Sequence, residues 1–163
     1  MPKNRKKIRL QNFDYSQNGY YFVTICAKDR KNWFGEILAG KVILNSWGLI
    51  VVQQWQWLAT QYNYIQIDQY SVMPDHFHGI LAITRNGHDR SLQQKVKSLS
   101  QLIGAFKTTS SKLIRKSGFI EFQWQKSFYE HIIRSEKSLD HIRLYIEQNP
   151  LAGELEIQKA LTL

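Results

Sequence analysis

Two closely spaced histidines in this 163-residue chain have the residue type and the spacing of metal ligands. His76 and His78 stand two positions apart in the run VMPDHFHGIL. On a β-strand, residues at that spacing point to the same face, so the two imidazoles would lie side by side. Two neighbouring imidazoles can bind one metal ion, but such a pair is also frequent as ordinary polar surface. The pair therefore predicts a metal site only if further ligands join it.

A second group of polar residues occurs near the C-terminus. His141, Tyr145 and Asn149 are spaced four residues apart, which places them on one face of a helix, one turn from each other. Tyr145 would present a phenolic oxygen one turn from the amide of Asn149, whose oxygen is a hard ligand suited to Mg²⁺ or Mn²⁺. The alternatives are a half-buried core tyrosine and an asparagine that ends a helix.

A rival pair lies in the segment FYEHIIR, where Tyr129 and His131 precede the final helix. Tyr129 comes before Ser135, a residue suited to capping that helix, so Tyr129 is expected at a strand or its end. Only Tyr145 has an oxygen ligand four residues later, and it is therefore the preferred candidate. His131 is retained as a neighbour of the site, with a surface or hydrogen-bonded histidine as the equal alternative.

The elements that must position these residues follow from periodicity and from capping and turn residues. The first half is expected to form a strand over Tyr20–Ala27, a hairpin over 32–44 around Ala39-Gly40, a helix capped by Asn45 or Ser46, a strand over Tyr64–Met73 with a bulge, a turn at Met73-Pro74-Asp75 and a strand over His76–Ile83. The second half is expected to form a helix from Ser91 to Lys116, a strand within Phe119–Ile133, and a helix that Ser135 caps and Pro150 ends.

This order is βαββαβ with an additional helix, which predicts an α+β fold. The expected architecture is a ferredoxin-like, RRM-like split βαβ antiparallel sheet with helices on one face, plus a C-terminal helix that carries Tyr145. The length predicts one domain over residues 1–163, in which residues 1–18 form a basic N-terminal arm.

Charge and composition narrow the classes of partner. The formal net charge is +9, 43% of the residues are hydrophobic, and the chain contains five tryptophans and eight tyrosines. A basic domain with many aromatics favours nucleic acid, because single strands are bound by phosphate contacts and base stacking. No apolar run long enough for a membrane span occurs, and one cysteine cannot form a disulfide framework, so a reducing cytoplasm is expected. The DNA-binding candidates in the arm are Lys3, Arg5, Lys6, Lys7 and Arg9.

The chain also resembles a known family over nearly its whole length. The segment VMPDHFHGIL resembles the HUH motif of single-strand transposases. The segment WQKSFYEHIIRSEKSLDHIRLYIEQNP is similar to the C-terminal signature of the REP-associated tyrosine transposases, and the N-terminal RKKIRLQNFDYSQNGYYFVTICAKDR is similar to the same family. In related insertion-sequence transposases the residue four positions after the tyrosine is usually a glutamine, whereas this chain has Asn149.

The resemblance implies a role for each residue. His76 and His78 would be ligands of Mg²⁺ or Mn²⁺, Asn149 would take the third ligand position, and Tyr145 would be the nucleophile. The implied reaction is cleavage and rejoining of single-stranded DNA, in hairpin-forming repeats, through a 5′-phosphotyrosine with a free 3′-OH. The implied setting is the nucleoid of a prokaryotic cytoplasm, and the chain would act as a monomer or a homodimer.

Three other functions remain open at the level of sequence. The weakest is a metal-dependent hydrolase of small molecules, against which the charge of +9 argues. A non-catalytic protein that binds single-stranded nucleic acid would share the charge and the aromatics but would need neither the histidine pair nor the Tyr–Asn pair. A replication-initiator or relaxase-like HUH nuclease would share the histidines. Such nucleases are usually parts of larger chains, and they often carry two tyrosines or a different motif order.

Overall fold

The computed structural model describes residues 10–85 and 95–161, and side chains within that part as far as residue 150. The elements are β1 (Gly19–Cys26), β2 (Gly35–Leu38), β3 (Lys41–Leu44), α1 (Ser46–Gln61), β4 (Ile65–Val72), β5 (His76–Ile83), α2 (Leu99–Lys116), β6 (Tyr129–Ile133) and α3 (Glu136–Leu161). A short 3-10 turn follows β1 at Lys28–Arg30. The basic residues predicted to bind DNA, Lys3 to Arg9, lie outside the described residues.

Four strands form one antiparallel sheet in the order β4-β5-β1-β6, and β2 pairs with β3 as a separate hairpin. The two central strands are the first and third of the four along the chain, which is the ferredoxin-like arrangement predicted from the element order. The hairpin turns at Ala39 and Gly40, whose φ angles of 50° and 72° give the left-handed turn that matches strand twist. The predicted α+β fold is confirmed.

Local capping explains where the helices begin. Asn45 Oδ1 accepts hydrogen bonds from the backbone N–H groups of Trp47 and Gly48, both at 3.0 Å, and so begins α1. Ser135 Oγ accepts from the N–H of Ser138 at 3.1 Å and begins α3. Each cap satisfies backbone donors that have no partner within the helix.

Two predicted helix limits are wrong. The helix expected from Ser91 begins at Leu99, because Ser98 forms a capping box with Gln101 and residues 95–98 are not helical. The final helix does not end at Pro150 but runs through it to Leu161. A proline removes one backbone hydrogen bond, which strains a helix without necessarily ending it. Tyr145 and Asn149 therefore lie in the middle of α3 and not in its last two turns.

The face of the sheet that packs against α1 and α2, called the core face here, contains the main hydrophobic core. Trp55 of α1 lies 4.6 Å from the ring of Phe77 and 5.4 Å from that of Phe106, measured between ring centroids. Gly79 permits this packing, because a Cβ there would lie 2.7 Å from ring atoms of both Phe77 and Trp55. The core face thus fixes β5, the strand that carries both histidines.

The opposite face, called the site face here, packs against α3 through a smaller cluster of buried residues. Its members are Phe22, Ile80, Ile133, Leu139 and Ile146. The predicted bulge in β4 is confirmed by a register shift between Ile67 and Tyr70. The shift keeps Ile67 and Tyr70 both packed against the main core.

Candidate active site

The histidine pair lies on the site face, at the beginning of β5. His76 is opposite Cys26 of β1 in the register, and His78 is opposite Thr24. The two Nε2 atoms are 2.9 Å apart, so both imidazoles converge on one point as the spacing predicts. His78 is 4% exposed and His76 is partly exposed, which leaves the pair reachable from one side.

Each imidazole is held at its other nitrogen. The Nδ1 of His76 is hydrogen-bonded to Oδ1 of Asp75 across 2.5 Å, and the Nδ1 of His78 is hydrogen-bonded to the hydroxyl of Thr24 across 2.8 Å. Arg30 Nε donates to the second oxygen of Asp75 across 2.8 Å. These contacts fix the planes of both rings and direct their Nε2 atoms away from the sheet backbone.

The electrostatics favour neutral histidine and ionised aspartate. Burial is the largest cause that lowers the pKa of His78, to about 3, and positive charge on His76, when that ring is protonated, and on Arg30 acts in the same direction. Burial alone would raise the pKa of Asp75, but the hydrogen bonds from His76 and Arg30 outweigh it and lower that pKa to about 2. At neutral pH His78 is therefore an uncharged imidazole, the form that binds metals.

Tyr145 of α3 lies directly against this pair. The centroid of its ring is 5.5 Å from that of His78, in an edge-on contact, and 6.3 Å from that of Phe22. Phe22 also stacks on His78 at 5.7 Å and so supports both rings from the sheet. The Tyr145 side chain is 50% exposed, which leaves it open to a large substrate.

An ion pair holds α3 on the sheet close to this tyrosine. Arg143 donates two hydrogen bonds to the carboxylate of Asp68, Nε to Oδ1 at 2.8 Å and Nη2 to Oδ2 at 2.7 Å. The hydrogen bonds from Arg143 lower the pKa of Asp68 more than its burial raises it. Asp68 lies in the bulge of β4, so the irregularity in that strand contributes to the placement of Tyr145.

Asn149 lies one helical turn beyond Tyr145 and is partly buried. It makes no hydrogen bond to either histidine in the described part of the chain. Among the side chains described, those of residues 10–85 and 95–150, no group of three His, Cys, Asp or Glu is placed to hold a metal ion. His141, one turn before Tyr145, is exposed.

The rival pair lies on the same face but farther from the histidines. In the register Tyr129 is opposite Thr24 and His131 is opposite Phe22, so strand β1 separates both from β5. Tyr129 touches the edge of Phe22 at 6.4 Å between centroids and is 53% exposed. Of the two tyrosines, Tyr145 is the one whose ring contacts His78.

Three residues of this site were not predicted from the sequence: Asp75, Thr24 and Arg30. Asp75 precedes His76 directly, so an acid next to a candidate ligand was an available signal. Thr24 and Arg30 are distant in sequence and reach the site through the β1–β5 register and the turn after β1. No sequence spacing could have identified them.

Comparison with known proteins places the chain among transposases. Residues 15–149 match the family described as IS200-like transposases. A Haemophilus influenzae protein of uncharacterised function is 36% identical, with 93% of this chain and 91% of that protein covered. A second H. influenzae protein, provisionally named a REP-associated tyrosine transposase, is 26% identical over 90% of this chain and 78% of its own length.

Solved structures show the same fold. A REP-associated tyrosine transposase bound to a REP hairpin superposes with a TM-score of 0.62 and 21% identity, covering 89% of this chain and 72% of that one. A Deinococcus radiodurans protein provisionally described as a transposase gives a TM-score of 0.52 and 18% identity, covering 86% of this chain and 96% of that one. In the described residues, no helix is long and apolar enough to cross a membrane.

Proposed function

The chain belongs to the IS200-like transposase family, and we propose that it cleaves and rejoins single-stranded DNA through a covalent link between Tyr145 and a 5′-phosphate. The observation that carries this proposal is the contact between the ring of Tyr145 and that of His78, whose centroids are 5.5 Å apart. It brings a phenol and two imidazoles, from distant parts of the sequence, together on one face of the sheet.

In the proposed reaction, the phenolic oxygen of Tyr145 attacks the scissile phosphorus. The bond from phosphorus to the 3′ oxygen breaks, that oxygen takes up a proton, and the phenolic proton is lost to a base or to solvent. A free 3′-OH later attacks the phosphotyrosine, which forms a new phosphodiester and releases the tyrosine. Because one phosphodiester is exchanged for another, rejoining needs no external energy source.

The histidine pair fits a divalent cation such as Mg²⁺ or Mn²⁺. Two ligands in adjacent octahedral positions, each about 2.1 Å from the ion, lie about 3.0 Å apart. The Nε2 atoms of His76 and His78 are 2.9 Å apart, which is close to that spacing. When bound, the cation would polarise the scissile phosphate and offset its developing charge. His76, His78 and Asn149 are the residues proposed to hold it.

We propose single-stranded DNA that forms repeat hairpins as the substrate. The charge of +9 favours a polyanion, and one of the structural relatives is a transposase bound to a REP hairpin. Action as a monomer or a homodimer and association with the nucleoid stay predictions. A replication initiator or relaxase is the weaker alternative, because the match to transposases spans residues 15–149.

A covalent adduct tests this function directly. Wild-type protein incubated with a labelled hairpin oligonucleotide and Mn²⁺ is expected to give a protein–DNA band on a denaturing gel. Tyr145→Phe removes one oxygen and keeps the ring against Phe22 and His78, so the adduct should vanish while folding and DNA affinity stay near wild type.

Tyr129→Phe is the matched control, because Tyr129 is similarly exposed and contacts the same Phe22 ring. It should retain the adduct. If only Tyr129→Phe abolished the adduct, Tyr129 would be the nucleophile. If both variants retained it, neither Tyr145 nor Tyr129 would be the required nucleophile, and the proposed mechanism would be wrong. If the wild type bound the oligonucleotide without forming an adduct, a non-catalytic binding protein would be the better description.

A further inference from the structure

A series of side chains leads from the Nδ1 nitrogen of His76 to the end of β1. His76 Nδ1 contacts one oxygen of Asp75, and Arg30 Nε donates to the other. Arg30 Nη1 also donates to Cys26 Sγ across 3.1 Å, and Cys26 lies opposite His76 in the sheet. Both carboxylate oxygens of Asp75 are therefore used, one by the imidazole and one by the guanidinium.

The contact with Asp75 decides which nitrogen of His76 carries the proton. A neutral imidazole has one N–H, and the other nitrogen has a free lone pair. A carboxylate paired with a guanidinium accepts hydrogen bonds but does not donate them. The proton of His76 must therefore lie on Nδ1, which leaves the Nε2 lone pair directed toward His78. Thr24 differs, because its hydroxyl can donate or accept and so orients His78 without selecting a tautomer.

Arg30 is held in place by an unusual turn. Asp29 and Arg30 have φ angles of 63° and 51°, two consecutive left-handed residues that are not glycine. Such conformations are sparsely populated and persist only where the surroundings enforce them. The backbone ties the turn to the site, because Arg30 N–H donates to Ala27 O and Ala27 N–H donates to Asp75 O.

We propose that Asp75, anchored by Arg30, is a positioning residue that fixes the Nδ1–H tautomer and the ring plane of His76 so that Nε2 can bind a divalent cation. This inference rests on the proposed function, since it takes His76 Nε2 to be a metal ligand. In this role the carboxylate acts through the imidazole, because its two oxygens are used by His76 and Arg30.

The tautomer can be measured without any metal. Long-range ¹H–¹⁵N NMR correlations of the imidazole nitrogens should show His76 with its proton on Nδ1 in the wild type. In Asp75→Asn, whose amide can also donate, a mixture containing the Nε2–H form is expected. A wild-type His76 protonated on Nε2, or an unchanged tautomer in Asp75→Asn, would overturn the proposal whatever the result with metals.

Metal affinity gives the second measurement. Mn²⁺ titrations followed by electron paramagnetic resonance should show affinity reduced about 10- to 100-fold in Asp75→Asn, the effect usual when a ligand histidine is deprived of its hydrogen-bond partner. Arg30→Ala should have a smaller effect, because it leaves the carboxylate in place. Asp14→Asn, which removes an exposed carboxylate in the segment before β1, should leave Mn²⁺ affinity unchanged.

Asp75→Glu separates the carboxylate from a general loss of structure. It keeps the acceptor group and should regain part of the affinity that Asp75→Asn removes. Equal reductions in the two variants, or wild-type affinity in Asp75→Asn, would contradict the positioning role. A wild type that bound no Mn²⁺ would overturn the proposed metal chemistry, while the NMR measurement would still decide the tautomer.

Discussion

The two faces of the sheet differ in how firmly they hold the residues that lie on them. On the core face, Trp55, Phe77 and Phe106 are fully buried and contact one another. The site face has a smaller buried cluster, and Tyr145 stands half exposed at its border. The histidine half of the site is therefore fixed by a strand with a full core behind it. The tyrosine half depends on the docking of one helix.

Under the proposed function, this difference corresponds to a division of labour between a metal site and a nucleophile. A metal site needs its ligands within a fraction of an ångström, which a central strand provides. A nucleophile that becomes attached to DNA must accept and release a long polymer, and an exposed helical residue allows that. The two halves should accordingly respond to mutation in different ways.

The largest effect is expected from removing the histidines. In His76→Ala/His78→Ala, cleavage should fall by orders of magnitude because both nitrogen ligands are removed, while binding of the hairpin oligonucleotide persists. Isothermal titration calorimetry with Mn²⁺ and the gel assay for adduct measure the two effects. Wild-type metal affinity in the double variant would show that the histidines are not the ligands.

A pair of phenylalanines on adjacent central strands compares the two faces directly. Phe77→Ala opens a cavity in the main core and should reduce the free energy of unfolding by about 3–5 kcal/mol, as measured by urea denaturation. Phe22→Ala should cost less stability, because Phe22 belongs to the smaller cluster, but it should slow adduct formation more. It removes the ring that supports both His78 and Tyr145. The reverse order of effects would contradict the distinction between the faces.

The ion pair between Arg143 of α3 and Asp68 in the bulge of β4 is expected to affect the position of Tyr145 but not the histidine pair. Arg143→Met should slow adduct formation about tenfold, since a shift of about 1 Å in a reacting group can cost that much or more. Stability should change by less than about 1 kcal/mol, because the Arg143 side chain is 40% exposed and solvent screens the pair. Mn²⁺ affinity should remain at the wild-type value, and a decrease in it would mean that the halves are coupled.

The smallest effect is expected from the N-terminal arm, whose basic residues lie outside the described part of the chain. Deleting residues 1–10 should weaken DNA binding and reduce the log–log salt slope by about 0.7 for each phosphate that the shortened protein no longer neutralises. Fluorescence anisotropy across a salt series measures this slope. An unchanged slope, with only lower solubility, would show that the arm does not bind phosphates.

The sequence by itself determined the parts of the site that depend on local periodicity. A spacing of two on a strand placed His76 and His78 on one face, and a spacing of four on a helix placed Tyr145 one turn before Asn149. The caps at Asn45 and Ser135 and the bulge in β4 were also predicted, because each is encoded within a few neighbouring residues.

Only the tertiary structure decided which tyrosine meets the histidines and what holds them. The contact between Tyr145 and His78 depends on where α3 docks, and the contacts of Thr24 and Arg30 depend on the register of β1 with β5. The structure also showed that α3 continues through Pro150, although the proline removes one backbone hydrogen bond of the helix. The docking of α3 and the register of β1 with β5 arise from packing between segments far apart in the chain, and such packing leaves no periodic signal in either segment alone.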